Sequence, residues 1–279
     1  MRALVFVALL AACRPAGSST LQVGHRARHY EVFVPSDTPN LPLVIALHGR
    51  GSTGKQMERF THFDEVAARE QFIVVYPDAI DHHWNDARVG MDTGVDDVAF
   101  IAALIDDMAA RYHIDRNRVY VTGMSNGAMM SYTLACTMAD RIVAIAPVAG
   151  DLPTGTCHPA RPISVLAING TDDPLVPYGG GTAGRGGQVL SAPASTDAFA
   201  QTDGCAPPTT AREGSSQTIA RHYACPGRLD VELLTIEHGG HTWPGGPQYL
   251  PKVIIGATSH DFDASDRIWR FFDSRASRE

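Results

Sequence analysis

The chain has 279 residues, enough for one large domain or two small ones. Hydrophobic residues make up 44% and charged residues 19%, an ordinary composition for a globular protein with a sizeable core. A formal net charge of −7 and a pI near 5.9 argue against nucleic acid as a main partner, and the chain carries no internal repeat and no heptad pattern.

In chain order, the first stretch is MRALVFVALLAAC, one arginine followed by small and aliphatic residues. It is too short to span a bilayer, which takes roughly 20 apolar residues, and reads as an export signal. Its end, Leu10 to Cys13, resembles the bacterial lipobox, in which the cysteine becomes lipidated; a plain cleaved signal is the alternative. A lipid on Cys13 is the one membrane contact expected. RPAGSS follows and reads as a flexible tether. Residues 1–20 are therefore expected to be signal and tether, and 21–279 a single domain. If Cys13 belongs to the leader, Cys136, Cys157, Cys205 and Cys225 remain. An even number of cysteines in an exported chain suggests disulfides, and the absence of Cys-x-x-Cys spacing speaks against a zinc or redox site.

His29 to Pro35 alternates and predicts an edge strand. Leu41 to Gly49 is a continuous apolar run, the pattern of a strand buried on both faces. Lys55 to Glu70 has helical character, and Phe72 to Pro77 predicts another buried strand. Val95 to Tyr112 has apolar residues at helical spacing with acids near its start; Asp96 and Asp97 are expected to cap it, worth roughly 0.3–1 kcal/mol each. Arg118 to Gly123 predicts a strand and a helix from about Asn126. Ile142–Gly150, Ile163–Gly170 and Val231–Glu237 predict three more strands, TIARHYA another, and Asp266–Phe272 a closing helix. The Pro/Gly-rich stretches between Leu152 and Arg161 and between Pro177 and Pro193 read as loops. Strands alternating with helices imply an α/β fold, a doubly wound, mostly parallel sheet with helices on both faces. Ligands bind such sheets beyond the carboxyl ends of the strands.

Two motifs sit at such ends. GRGSTGKQ (Gly49 to Gln56) nearly matches a phosphate-binding loop, but Gln56 stands where the Mg²⁺-binding hydroxyl is required. A His-Gly turn there is better read as aiming a backbone N–H at an oxyanion. The second motif, Gly123-Met124-Ser125-Asn126-Gly127, falls between a predicted strand and helix. That is the nucleophile turn of α/β-hydrolases, with glycines where side chains would collide. The helix start behind Ser125 offers N–H groups to developing negative charge. A serine nucleophile needs a base and the base an orienting acid, in the chain order Ser, acid, His. Asp151, Asp172 and Asp173 are the candidate acids. His222, His238, His241 and His260 are the candidate bases, and His238 and His241 fall directly past the last predicted strand. His-Gly-Gly-His suggests a metal, yet no nearby cysteine or carboxylate pair completes a site. No metal and no cofactor is expected.

The segments LHGRGSTG, WNDA, GVDDVAFIAALIDDM, VYVTGMSNGAMMSYTLAC, IVAIAPVAG, NGTDDPLVPYGGG and HGGHTWPGG together resemble the polyhydroxybutyrate depolymerase-like and feruloyl esterase-like branch of the α/β-hydrolases. The likeness runs through nearly the whole chain after the leader. It implies Ser125 as nucleophile, Asp173 as acid and His241 as base. It implies an oxyanion hole from the backbone N–H of Asn126 and one near Arg50. It also implies the pairings Cys136–Cys157 and Cys205–Cys225. Two residues depart from the family pattern: His238, where a glycine or small residue is usual, and Arg50, where a smaller or apolar one is. Both bear on substrate choice. Trp84 and Trp243 are candidate walls of an acyl or aryl pocket. The expectation is an exported serine esterase acting on soluble short-acyl, hydroxyalkanoate-oligomer, feruloyl or acetyl-sugar esters in preference to solid polymer, because the chain leaves no room for a polymer-binding domain. Its rivals are a true depolymerase and a binding protein that keeps the fold without the chemistry.

Overall fold

The computed structural model describes residues 14–275 apart from Thr156 and Ser215; the expected signal and Cys13 lie outside the described residues. Strands β1 (Arg14–Val23) and β2 (Arg26–Val34) form an antiparallel pair in which Thr20 faces His29 and Val23 faces Arg26. The stretch expected as a tether is thus a strand, and β2, expected at an edge, has a neighbour on each side. Gly, Ser and Ala have little β propensity of their own, so only the ladder to β2 puts them in a strand.

β3 (Leu43–Leu47) and β4 (Ile73–Pro77) flank α1 (Gly54–Thr61) and α2 (Phe63–Glu70). The single helix expected over Lys55–Glu70 breaks at His62, which takes φ 53°. The break turns Phe63 into the core, edge-on to Phe72 and Trp243. α3 (Asp97–Tyr112), β5 (Val119–Met124), α4 (Asn126–Met138), β6 (Ala144–Val148) and β7 (Ser164–Gly170) fall where the hydrophobic pattern puts them. The next Pro/Gly-rich stretch carries a small hairpin, β8 (Gly181–Thr182) with β9 (Gln188–Val189). Then come α5 (Ala192–Thr202), β10 (Thr209–Arg212), β11 (Thr218–Ala224), β12 (Asp230–Ile236), α6 (Lys252–Ile255) and α7 (Ala264–Arg275). α5 and β10 were not expected. α5 is built of Ala, Ser and Thr with few large apolar residues, and every residue of β10 is exposed, so neither has a strong period.

The large sheet has the order β1-β2-β4-β3-β5-β6-β7-β12-β11-β10, with the six strands from β4 to β12 mutually parallel and an antiparallel pair on each flank. Side chains alternate across it. Leu43, Ile45 and Leu47 face Phe100, Leu104, Met130 and Phe199 of α3, α4 and α5. Val44 and Ala46 face Met57, Phe63, Ile268 and Phe272 of α1, α2 and α7. Burial of each large side chain there is worth about 1.5–3 kcal/mol. From β3 the chain turns back to β4 on one side, then crosses to β5 on the other. The loops leaving β3 and β5 therefore diverge, which opens a crevice at their carboxyl ends.

Candidate active site

Ser125 stands in that crevice, between β5 and α4, with φ 59° and ψ −118°. L-residues rarely adopt this conformation, which costs of order 1–3 kcal/mol. It is held by the Ser125 N–H donating to the Val148 carbonyl (2.9 Å) and the Ser125 carbonyl accepting from Met129 N–H (3.0 Å). The two glycines of the motif serve close approach. A Cβ on Gly123 would lie 2.5 Å from the Gly127 carbonyl oxygen, and one on Gly127 would run into the carbonyls of Leu47 and His48. Only bare backbone lets α4 start this close to β3. The Asn126 N–H, in the first turn of α4, has no intrahelical acceptor. Its side chain works in the opposite direction: Oδ1 accepts from Trp84 N–H (2.8 Å), and Nδ2 donates to Asp86 Oδ2 (2.6 Å) and the Trp84 carbonyl (3.0 Å). Asp86 in turn pairs with Arg88 at 2.8 Å, and Arg88 Nη1 donates to the carbonyls of Ala183 and Gly186.

The turn after β3 lies against the serine. A Cβ on Gly49 would be 3.5 Å from Ser125 Cβ. Ser52 N–H donates to the Gly49 carbonyl (3.1 Å) and Gly51 takes φ 79°, the signature of a type II turn with Arg50 at its first corner. His48 is buried, and its Nε2 accepts from Ala79 N–H (3.0 Å). Nδ1 must then carry the proton and donate to the Gly49 carbonyl (2.8 Å). Burial pushes the His48 pKa down, in keeping with that neutral tautomer. With the Gly49 carbonyl committed to His48 and Ser52, the trans peptide directs the Arg50 N–H the opposite way, out of the turn. The phosphate-loop alternative fails on the same stretch. The N-terminus of α1 is filled by the protein's own Asp78, whose Oδ1 accepts from Gly54 N–H (2.6 Å), and Lys55 pairs with Glu58.

Asp173 and His241 leave the carboxyl ends of β7 and β12, along the same edge as Ser125. Their side chains meet at 2.7 Å, Nδ1 to Oδ2, and are 4% and 2% exposed for His241 and Asp173. Asp173 Oδ1 accepts from the N–H groups of Leu175 and Val176, both at 2.8 Å, so the carboxylate is fixed in orientation. His241 is clamped through its backbone as well: its N–H donates to the Ile255 carbonyl (2.6 Å) and its carbonyl accepts from Tyr249 Oη–H (3.0 Å). No sequence signal pointed to Tyr249 or Ile255, which act from 8 and 14 residues away along an irregular loop.

The other candidates go elsewhere. His238 pairs with Asp172 at 3.2 Å in an exposed position, so the two histidines of His-Gly-Gly-His do not converge. Among the described residues no group of three or more His, Cys, Asp or Glu gathers as metal ligands would. His222 sits on β11 against Asp230, and His260 is exposed ahead of α7. Asp151 is fully buried; its Oδ1 accepts from Asn169 Nδ2 (3.2 Å), while Oδ2 and Asn169 Oδ1 have no partner. Burial first, and the Asp173 charge second, hold its pKa well above the usual carboxylate range. Asp96 caps α3 as expected, its Oδ1 accepting from Ala99 N–H, but Asp97 does more. It is buried, pairs with Arg28 at 2.6 Å, and accepts from Asn85 N–H (2.8 Å), anchoring the loop that carries Trp84.

The two tryptophans are not walls of an open pocket. Trp84 is 0% and Trp243 1% exposed. Trp84 Nε1 donates to the His48 carbonyl (2.9 Å), bracing the turn after β3 from behind. Trp243 Nε1 donates to Ser265 Oγ (3.2 Å), and Ser265 donates to the Thr61 carbonyl, which ties the loop after β12 to α7 and α1. A large aromatic has much apolar surface to bury, and here burial won over display. The disulfides Cys136–Cys157 and Cys205–Cys225 both form as the resemblance implied.

A parallel sheet doubly wound in this order, with its serine turn at the switch point, has the α/β-hydrolase fold. The solved acetyl xylan esterase from Aspergillus awamori shares it, with a TM-score of 0.65 over 92% of this chain and 99% of that one, at 15% identity; the likeness is one of fold. The model of the family described as Esterase PHB depolymerase matches residues 29–176. The putative esterase NocK of Nocardia uniformis subsp. tsuyamanensis is 30% identical over 270 residues, 88% of this chain and 78% of that protein. Feruloyl esterase B of Piromyces equi is 32% identical over 72% of this chain, which spans only 39% of that protein's length. The chain belongs to the PHB depolymerase esterase family, and it is a carboxylic-ester hydrolase.

Proposed function

We propose that the protein is an exported serine esterase working through Ser125, His241 and Asp173. The observation that carries this reading is the buried 2.7 Å His241–Asp173 pair on the sheet edge that also bears the strained Ser125. A carboxylate accepts only, so His241 Nδ1 carries its proton toward Asp173 and Nε2 is left as a base. Ser125 Oγ attacks the ester carbonyl while His241 Nε2 takes its proton. The Asn126 and Arg50 N–H groups stabilise the oxyanion, each such donor being worth about 10²–10³ in kcat. Collapse releases the alcohol, protonated by His241, and water activated by the same imidazole frees the acid.

Soluble short-acyl, hydroxyalkanoate-oligomer, feruloyl or acetyl-sugar esters are the proposed substrates. Relatives named as feruloyl esterase and acetylxylan esterase support that range. Two disulfides support export, and lipid on Cys13 remains the proposed anchor. Ser125→Ala should keep its thermal melt and lose hydrolysis of a short-chain chromogenic ester, with wild type titrating one-to-one with a serine-directed inhibitor. Near-wild-type turnover in a folded Ser125→Ala protein would falsify the scheme.

A further inference from the structure

We propose that Arg50 recognises a carboxylate carried by the ester substrate, so that the enzyme favours anionic esters over their neutral counterparts. The proposal deepens the serine-esterase reading and rests on it. Arg50 occupies the corner of a turn that is stapled on both sides: Gly51 N–H donates to the His82 carbonyl (2.9 Å) and His82 Nδ1 meets the Ser52 carbonyl (2.8 Å). Its neighbour Gly49 packs on Ser125, so the turn sits beside the reacting serine rather than merely near it. An ester whose carbonyl oxygen accepts from the Arg50 N–H has its substituents within reach of the guanidinium, because donor and side chain belong to one residue.

The charge is not consumed by the protein. Arg50 is exposed, and among the described residues no carboxylate pairs with it. Two arginines behind this turn are spent, Arg28 on Asp97 and Arg88 on Asp86, both buried, while Arg185 is exposed in the hairpin between β8 and β9. Asp81, next to His82, is exposed and forms no ion pair among the described residues. His83 adds no second cation, since burial, and after it the Arg50 charge, lowers its pKa. In a chain of net charge −7, an unpaired guanidinium carried by a turn whose backbone is fixed beside Ser125 favours an anionic substrate. Its planar fork suits a carboxylate in two-point contact.

The test compares kcat/KM for matched pairs of esters. Nitrophenyl hemiglutarate against nitrophenyl valerate puts the carboxylate on the acyl side. Acetylated hydroxybutyrate against its methyl ester puts it on the alcohol side. In at least one pair, wild type should prefer the anion, and the anionic-to-neutral ratio should fall about 10- to 100-fold in Arg50→Ala, the factor a charge-assisted hydrogen bond supplies. Arg50→Lys should keep part of the preference, Arg50→Glu should invert it, and salt should weaken it in wild type. The pair that responds identifies the side of the ester. An unchanged ratio in both pairs overturns the proposal, including the case where Arg50→Ala slows both members equally and Arg50 serves the oxyanion alone. Wild type inactive on all four esters would instead strike the serine-esterase reading beneath it.

Discussion

Adjacent aspartates separate cleanly at the scale of single residues. Asp173 holds His241 in a buried contact with its other oxygen fixed by two N–H groups, while Asp172 meets His238 in solvent. Asp173→Asn should lower kcat by about 10⁴-fold, since the amide favours the wrong imidazole tautomer. Asp172→Asn should change it little, because an exposed pair is worth about 0–1 kcal/mol. A reversed order in steady-state assays would move the acid to Asp172. Asp151 poses a different question, of stability. Burial holds its folded-state pKa well above that of the unfolded carboxylate, so between the two values it is neutral when folded and ionised when unfolded. Over that range the unfolded chain binds fewer protons, so stability falls as pH rises toward the folded-state pKa. Asp151→Asn removes the penalty. Its melting temperature should match wild type near pH 4 and exceed it increasingly as pH rises above that; a gap that does not change with pH would show the carboxyl already ionised in the fold.

At the scale of elements, the loop after β12 decides how firmly His241 is held. α6 is a single turn, yet it supplies the Ile255 carbonyl to His241 N–H, and Tyr249 ahead of it binds the His241 carbonyl. Tyr249 also packs edge-on against Phe60 of α1, so the loop is anchored to that helix. Burial and the nearby Asp173 charge push the Tyr249 pKa up to about 12, which keeps its hydroxyl a donor throughout the working range. Tyr249→Phe keeps the ring packing and removes one hydrogen bond, worth about 0.5–1.5 kcal/mol. The expected result is a kcat about 2- to 10-fold lower with KM nearly constant. Unaltered kcat would mean that Asp173 and Ile255 suffice to orient the imidazole.

For the molecule as a whole, two covalent ties supplement the sheet. Cys136–Cys157 fastens the far end of α4, whose near end presents Ser125, and Cys205–Cys225 joins the segment after α5 to the end of β11. They span 21 and 20 residues, for which the chain-entropy model gives roughly 3 kcal/mol each. Reductant should therefore lower the melting temperature, and thiol titration of denatured, unreduced protein should find these four cysteines unreactive. Four free thiols would remove both the ties and their support for export.

Local pattern was enough to place the central sheet and the turn that carries Ser125. β3, β5, β6 and β7 are continuous apolar runs, and Gly-x-Ser-x-Gly can be read locally because it falls between a predicted strand and a predicted helix, although what Gly127 makes room for, the carbonyls of Leu47 and His48, lies on a distant strand. Spacing alone shortlisted three aspartates and four histidines; the resemblance picked Asp173 and His241, which the fold brings into buried contact. The tertiary structure alone decided what depends on distant partners. Arg14–Ser19 is a strand only because β2 pairs with it, and β10 only because β11 does. Trp84 and Trp243 are struts because surfaces more than 20 residues away bury them. Asp97 is a buried anchor because Arg28 arrives from another strand. Periodicity reports how one segment meets water. It carries no record of which other segment will displace that water, and that is what assigned these residues their work.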